Sequence, residues 1–315
     1  MKRVKMAVLA AAVIVALLLV VSLYIVWPAI SLPRRPFSAP EASYHNWDDI
    51  LSHPKPITVR TYSTGMMTTL LSGIMNLEHS QAQDIQDELV QYPVNVNLIQ
   101  HQELGSYLID AGLDASYVHN PLGSMKGIMV KGRLGRATQD PNTDIATILD
   151  REKVRIEGVF LTHMHFDHTA GILDLPKDIP YFVSKDEPYQ NFRFFFHGDH
   201  FAGVEEIYDI DLAAGIELPP FGKSVDVFGD GSLWAIPSSG HSKGHMMYFV
   251  NGIEDQILVT ADACNTQYQF DTGIGPGGTY SSNVEQAQDT LERIIAFKER
   301  YPQVNLVYGH DLSER

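Results

Sequence analysis

The apolar positions of this chain follow three rhythms. From Met6 to Ile30 they run almost without a break, interrupted only by Ser22 and Pro28. From residue 57 onward they come in short strand-like runs. Ile57–Tyr62 reads Ile-Thr-Val-Arg-Thr-Tyr and Val94–Ile99 alternates in the same way, the period-two pattern of a half-buried strand. Val159–Leu161, Ile179–Val183, Leu233–Pro237, 256–260 and 305–308 predict further strands, and a turn at Glu103-Leu104-Gly105 predicts a hairpin into 106–112. The third rhythm is helical. Ile145, Ile148 and Leu149 follow the helix-opening run Asp140–Asp144, and Val284–Arg300 is amphipathic over its length. Met66, Met67, Leu70, Leu71, Ile74, Met75 and Leu77 also recur at helical spacing, and short helices are expected from Ala170 and from Lys185. A methionine-rich stripe is more often core or a gap-filling surface than a lid over a pocket. Strands interleaved with helices predict an α/β domain.

The first rhythm bears on the N-terminus. About 20 apolar residues cross a bilayer core, and Met6–Ile30 meets that length. Tyr24 and Trp27 near its far end suit an interfacial aromatic belt. A cleaved signal peptide would carry an apolar region of only about 7–15 residues and a small-x-small site; Trp27-Pro28-Ala29-Ile30-Ser31 is a poor one. Residues 1–30 are therefore expected to be a retained membrane anchor. Lys2, Arg3 and Lys5 before the span outnumber Arg34 and Arg35 after it, which predicts the bulk of the chain on the extracytoplasmic side. Residues 31–56, with Pro33, Pro36, Pro40, Pro54 and Pro56, read as an extended linker carrying a short helix near Asn46–Leu51. Residues 57–315 read as one domain.

Charge narrows the functions. Lys and Arg number 23 against 38 Asp and Glu, a formal charge of −15, and such a surface repels a phosphate backbone, so no nucleic-acid partner is expected. Cys264 is the single cysteine, so no intrachain disulfide forms and stability rests on the core and on any bound metal.

The densest chemistry follows the strand Val159–Leu161: Thr162-His163-Met164-His165-Phe166-Asp167-His168. Side chains alternate in an extended segment, so His163 and His165 fall on one side and can grip one metal ion. Asp167 and His168 follow as the chain turns and can serve a second site beside the first. A lone His here would be a satisfied core residue more often than a ligand; three His and one Asp left without metal would cost about 1–3 kcal/mol for each unpaired group. Imidazoles and a carboxylate without sulfur suit zinc, and also iron or manganese.

This stretch resembles the His-x-His-x-Asp-His signature of the metallo-β-lactamase superfamily. The resemblance implies an αββα sandwich of two mixed β-sheets flanked by helices, and three more ligands at strand ends downstream. Gly240-His241-Ser242-Lys243-Gly244-His245 is similar to the family's Gly-His-x-x-Gly-His segment, which makes His241 a ligand and His245 a supporting residue. Asp262 stands where the family places a bridging carboxylate, and His310, in Gly309-His310-Asp311, where it places the last histidine. By the same resemblance His163, His165 and His241 bind one divalent ion, Asp167, His168 and His310 a second, and Asp262 bridges them, with zinc foremost and iron or manganese open. Two adjacent cations make hydroxide available from a shared water at neutral pH and polarise the scissile bond. Asp167 would take up the proton and pass it to the leaving group. Asp110, in Asp110-Ala111-Gly112, resembles the residue that orients a ligand histidine; a turn-capping role fits equally.

Within the superfamily, Leu161–Gly171, Gly240–His245, Thr260–Cys264 and Gly309–Asp311 look most like the N-acyl-homoserine lactone lactonases. That likeness implies metal-bridged hydroxide attacking a lactone or related carboxylic ester. A tyrosine three residues after the bridging aspartate commonly contacts substrate in those enzymes. Here that position is Asn265, and Tyr268, one helical turn on, is the candidate phenol. Two alternatives stay open: a phosphodiesterase or other ester hydrolase on the same metals, favoured if Arg and Lys gather at the pocket, and a non-catalytic or redox metal protein. The glycine-rich basic stretch 113–137 lacks a phosphate-loop ending and reads as a solvated face, or, less readily, as a source of positive charge at the pocket mouth. The aromatic stretch 189–203, with Phe192, Phe194, Phe195 and Phe196, reads as a buried helical hairpin, as an aromatic wall for an apolar tail, or least of all as a third metal site.

Overall fold

The computed structural model describes residues 2–26, 32–133, 136–189, 191 and 196–311. Two mixed sheets lie face to face. The first has eight strands in the spatial order Arg34–Pro36, Ile207–Ile210, Tyr181–Ser184, Ile156–Phe160, Gly105–Ile109, Leu89–His101, Ile57–Leu70 and Arg136–Thr138. Neighbours from Arg34–Pro36 to Gly105–Ile109 run parallel, and the remaining pairs are antiparallel. The second has six, in the order Asn305–Tyr308, Gln256–Ala261, Met246–Asn251, Leu233–Pro237, Gly222–Asp226 and Ile216–Leu218, with only the first pair parallel.

Alternation along the strands sorts the apolar residues into three layers. Ile99, Ile109, Phe160 and Phe182 of the first sheet meet Ala235, Tyr248, Val259 and Val307 of the second between the sheets. Leu98, Leu108, Val159 and Val183 point the other way and pack with Ile145, Ile148 and Leu149 of the helix Ile145–Glu152. On the opposite flank Trp234, Ile236, Phe249 and Leu258 pack with Leu291, Ile294 and Phe297 of the helix Val284–Arg300. Asp144 and Asn283 cap these helices by accepting the N–H groups of Thr147 and Gln286. The layering is the expected αββα sandwich.

Four expectations change. The N-terminal run is helical over Lys2–Val26, but among the described residues no helix is long and apolar enough to cross a membrane. The expected transmembrane anchor, the membrane as a partner and the extracytoplasmic placement that followed from it are corrected accordingly; Trp27 lies outside the described residues. The stretch read as a linker takes part in the fold. Arg34–Pro36 pairs with Ile207–Ile210, and the helix Trp47–Ser52 buries Trp47 against Phe221, Phe249 and Phe297. The methionine stripe is strand up to Leu70, with a helix only over Leu71–Ile74. Pairing with Leu89–His101 on one side and Arg136–Thr138 on the other satisfies its backbone and overrides the helical spacing. No helix opens at Lys185: Arg34 donates to the carbonyls of Ser184 and Glu187 and holds the chain in a turn.

Candidate metal centre and substrate cavity

Loops from both sheets meet beyond the C-terminal ends of their strands, where ligands of α/β folds commonly sit. Ile156–Phe160 delivers His163, His165, Asp167 and His168; Leu233–Pro237 leads to His241; Gln256–Ala261 ends at Asp262; Asn305–Tyr308 leads to His310. The structure brings all seven together in two groups. Ligand atoms of His163, His165, His241 and Asp262 lie within 4.8 Å of one another, and so do those of Asp167, His168 and His310. Asp262 faces both. Its Oδ1 is 3.2 Å from His168 Nε2 and 3.2 Å from His310 Nε2, while its Oδ2 is 3.2 Å from His241 Nε2 and 3.8 Å from His163 Nε2. Asp167 Oδ2 is 3.7 Å from the Nε2 atoms of His168 and His310.

Hydrogen bonds behind the cluster decide which nitrogen three of the rings offer. His310 Nδ1 lies 2.8 Å from the carbonyl of Pro93, which can only accept, so Nδ1 carries the hydrogen and Nε2 is bare. His168 Nδ1 donates to Asp110 Oδ2 at 2.8 Å. Thr162 spends its hydroxyl hydrogen on the same carboxylate oxygen, so its oxygen accepts from His163 Nδ1 at 3.0 Å. Asp110 therefore orients two rings, one directly and one through Thr162, from a backbone with φ of 63° that positions its carboxylate under the loop. Such buried partners fix ligand tautomers.

Bare lone pairs thus converge on a carboxylate. His163 Nε2, His168 Nε2 and Asp262 Oδ1 are buried with no hydrogen-bond partner, an arrangement that costs about 1–3 kcal/mol per group unless something positive fills it. A nitrogen and oxygen donor set without sulfur fits divalent zinc, iron or manganese. Burial holds His163, His165 and His241 below the ordinary imidazole range. Burial would do the same to His168 and His310, but the surrounding carboxylates together outweigh it and raise both: Asp262, Asp110 and Asp167 around His168, Asp262 and Asp167 around His310. Burial would raise the Asp262 carboxyl; His310, His168 and His241 hold it well below the usual range, so it is ionised at neutral pH.

A second buried carboxylate ties the ligand loops together. Glu187 Oε1 accepts the N–H of Met164, between His163 and His165, at 3.0 Å. Its Oε2 accepts Ser242 Oγ at 2.6 Å and the N–H of Gly244 at 3.0 Å, both in the loop of His241. Gly244 packs so tightly that a Cβ would lie 2.3 Å from the Glu187 nitrogen. No motif in the sequence marked Glu187. His245, expected as a support, bonds Ser238 Oγ at 2.7 Å and is pushed down to about 3 by burial, so it stays neutral beside the cluster.

The centre opens into a cavity of about 1230 Å³ whose wall includes His165, Asp167, His241, Asp262 and His310. Met67, Leu70, Leu89, Met125 and Met129 supply an apolar side, and the exposed Lys131 and Arg136 also line it. Tyr268 does not join them: it is 50% exposed on the helix Gln267–Thr272. Asn265 and Tyr280 line the cavity instead. Of the aromatic stretch, Tyr189 and Phe196 reach the cavity and Phe201 is core, while Phe192, Phe194 and Phe195 lie outside the described residues. Among the described residues His197, Asp199 and His200 form no metal-binding group.

A sequence model of the metallo-beta-lactamase superfamily matches residues 89–310. The N-acyl homoserine lactonase AttM of Rhizobium johnstonii is 27% identical over 248 residues, which is 77% of this chain and 90% of that protein. AttM of Agrobacterium fabrum is 25% identical over the same shares. Among solved structures, a variant of AiiA from B. thuringiensis with N-decanoyl-L-homoserine at its active site superposes with a TM-score of 0.64 at 19% identity, covering 82% of this chain and 94% of that one. AidC, a dizinc quorum-quenching lactonase in complex with a product, does so with a TM-score of 0.53 at 13% identity, covering 82% and 88%. At these identities the structural likeness speaks for the fold.

Proposed function

Because this chain belongs to the metallo-beta-lactamase superfamily and is a metal-dependent hydrolase, we propose that it opens the ring of a lactone, of the N-acyl homoserine lactone class, at a pair of divalent cations. The observation that carries this reading is Asp262, with one carboxylate oxygen turned to each group of ligands. His163, His165 and His241 would hold one ion, and Asp167, His168 and His310 the other, with Asp262 shared. Ions bound there supply the Lewis acidity that makes water nucleophilic near neutral pH and draws charge from a scissile carbonyl.

The chain's own residues do the rest. Asp110 and the Pro93 carbonyl keep Nδ1 of His168 and His310 protonated, so both rings offer Nε2. Asp167, lining the cavity, takes the proton of the attacking water and returns it to the alkoxide that leaves as the ring opens. The apolar wall formed by Met67, Leu70, Leu89, Met125 and Met129 takes an acyl tail and keeps water from it. A second reading, phosphodiester hydrolysis at the same centre, is favoured by Lys131 and Arg136 on the cavity wall.

The test is a substrate panel on the zinc-loaded full chain, with and without chelator. N-acyl homoserine lactones of several chain lengths are expected to be opened, with chelator abolishing the activity. Hydrolysis of aryl phosphodiesters with no lactone opening would replace the first reading by the second.

A further inference from the structure

We propose that Asn265 reads a hydrogen-bond donor on the substrate, the N–H of an amide carried beside the lactone carbonyl, and thereby selects among esters. The proposal deepens the lactone reading and rests on it. The backbone N–H of Asn265 donates to Gln269 Oε1 at 2.7 Å, which leaves Gln269 Nε2 to donate to the carbonyl of Ile74 at 2.8 Å. The same carbonyl receives Asn265 Nδ2 at 3.1 Å. A carbonyl only accepts, so the Asn265 amide cannot turn over without setting two oxygens against each other. The backbone oxygen of Asn265 is taken by the N–H of His310 at 2.8 Å. One polar atom remains: Oδ1 is buried and has no partner.

Asn265 is only 2% exposed, yet it lines the cavity together with Asp262 and His310. An acceptor locked in this orientation is left unsatisfied unless a ligand brings it a hydrogen. The reacting carbonyl goes to the cations, so the group next to it on the substrate meets Asn265. A secondary amide supplies a neutral donor there and continues into an acyl chain suited to the apolar wall. Ser281 Oγ is also without a partner in this wall, but a hydroxyl gives or takes a hydrogen and cannot discriminate. A site built to bond an N–H rejects the analogue that lacks it.

The experiment compares two γ-butyrolactones with the metal-loaded full chain, one bearing an α-hexanoylamino group and the other the isosteric α-hexanoyloxy group. Ring-opened product is quantified, and rates are normalised to alkaline opening of each ring. The parent is expected to favour the amide in kcat/KM by about tenfold or more, and Asn265→Leu, similar in size without an acceptor, to bring the ratio near one. Because the readout is a ratio within one preparation, loss of metal or of folded protein cancels. A parent with no preference, or a preference that survives Asn265→Leu, overturns the proposal while the lactone reading stands. A parent that opens neither ring removes the lactone reading and this proposal with it.

Discussion

The two sides of the cavity are built by opposite means. On the metal side, ring nitrogens and carboxylate oxygens are held from behind by Asp110, Thr162, Glu187 and the Pro93 carbonyl, at hydrogen-bond distances of 2.6–3.0 Å. On the far side Met67, Met125 and Met129 face the same space with unbranched, adaptable side chains, flanked by Leu70 and Leu89, which are 46% and 71% exposed. The contrast teaches a division of labour. Positions that must stabilise charge are over-determined, because a misplacement of about 1 Å is expensive there. On the lactone reading proposed above, the positions that would accommodate a tail are left deformable.

Four changes would break or sharpen that contrast. The largest effect is expected from Asp262→Ala, which removes the carboxylate common to both groups. Bound metal measured by elemental analysis should fall, and kcat/KM should drop by more than the roughly 10–100-fold typical of an outer-shell residue. Retention of two ions and of turnover would end the bridging role. Next comes Glu187→Gln. One oxygen of the pair becomes an NH2 and faces a donor, so the loops of His163 and His241 loosen. Metal affinity in a chelator competition should weaken by about 10–100-fold, and an unchanged affinity would show that the loops hold without it.

A third change concerns acid sensitivity. Burial pushes His200 down to about 4, against an ordinary value near 6.5. Between those limits the unfolded chain binds a proton that the folded chain refuses. Stability from this group is therefore complete above about pH 6.5 and is lost as pH falls toward about 4, by about 1.4 kcal/mol per pH unit at most. His200→Gln, which can still bond Thr169 Oγ1, should flatten the fall of Tm between pH 7 and 4. An equal slope in both proteins counts against it. The smallest effect is on the deformable side: Met129→Ala should raise KM for long-chain lactones several-fold, leave short-chain lactones unchanged and spare kcat. A matching loss for all chain lengths would mean that the tail does not lie there.

The sequence exposed the metal side and concealed the other. His163, His165, Asp167 and His168 occupy one loop, where spacing alone brings side chains together, and His241, Asp262 and His310 each follow an apolar strand. Tyr268 was expected to serve the cavity because it lies one helical turn beyond Asn265, but the helix Gln267–Thr272 turns it to solvent. Met66–Leu70 carries a helical spacing that strand pairing on both sides overrode. Glu187 and Asn265 carry no motif, since what distinguishes them is which atoms remain unpaired after distant segments have packed.

Taken alone, the chain of residues determined the layers, because alternation assigns each strand residue to one face, and it brought His163, His165, Asp167 and His168 together, because their spacing is local; His241, Asp262 and His310 were expected beside them only through the family resemblance. Only the tertiary structure decided that Asp262 divides its two oxygens between the groups, that Glu187 binds two loops at once, and that Asn265 keeps one acceptor free. Those outcomes depend on angstrom-scale distances between residues such as Asp110 and His168, or Ile74 and Asn265, far apart in sequence, and sheet register and packing set such distances.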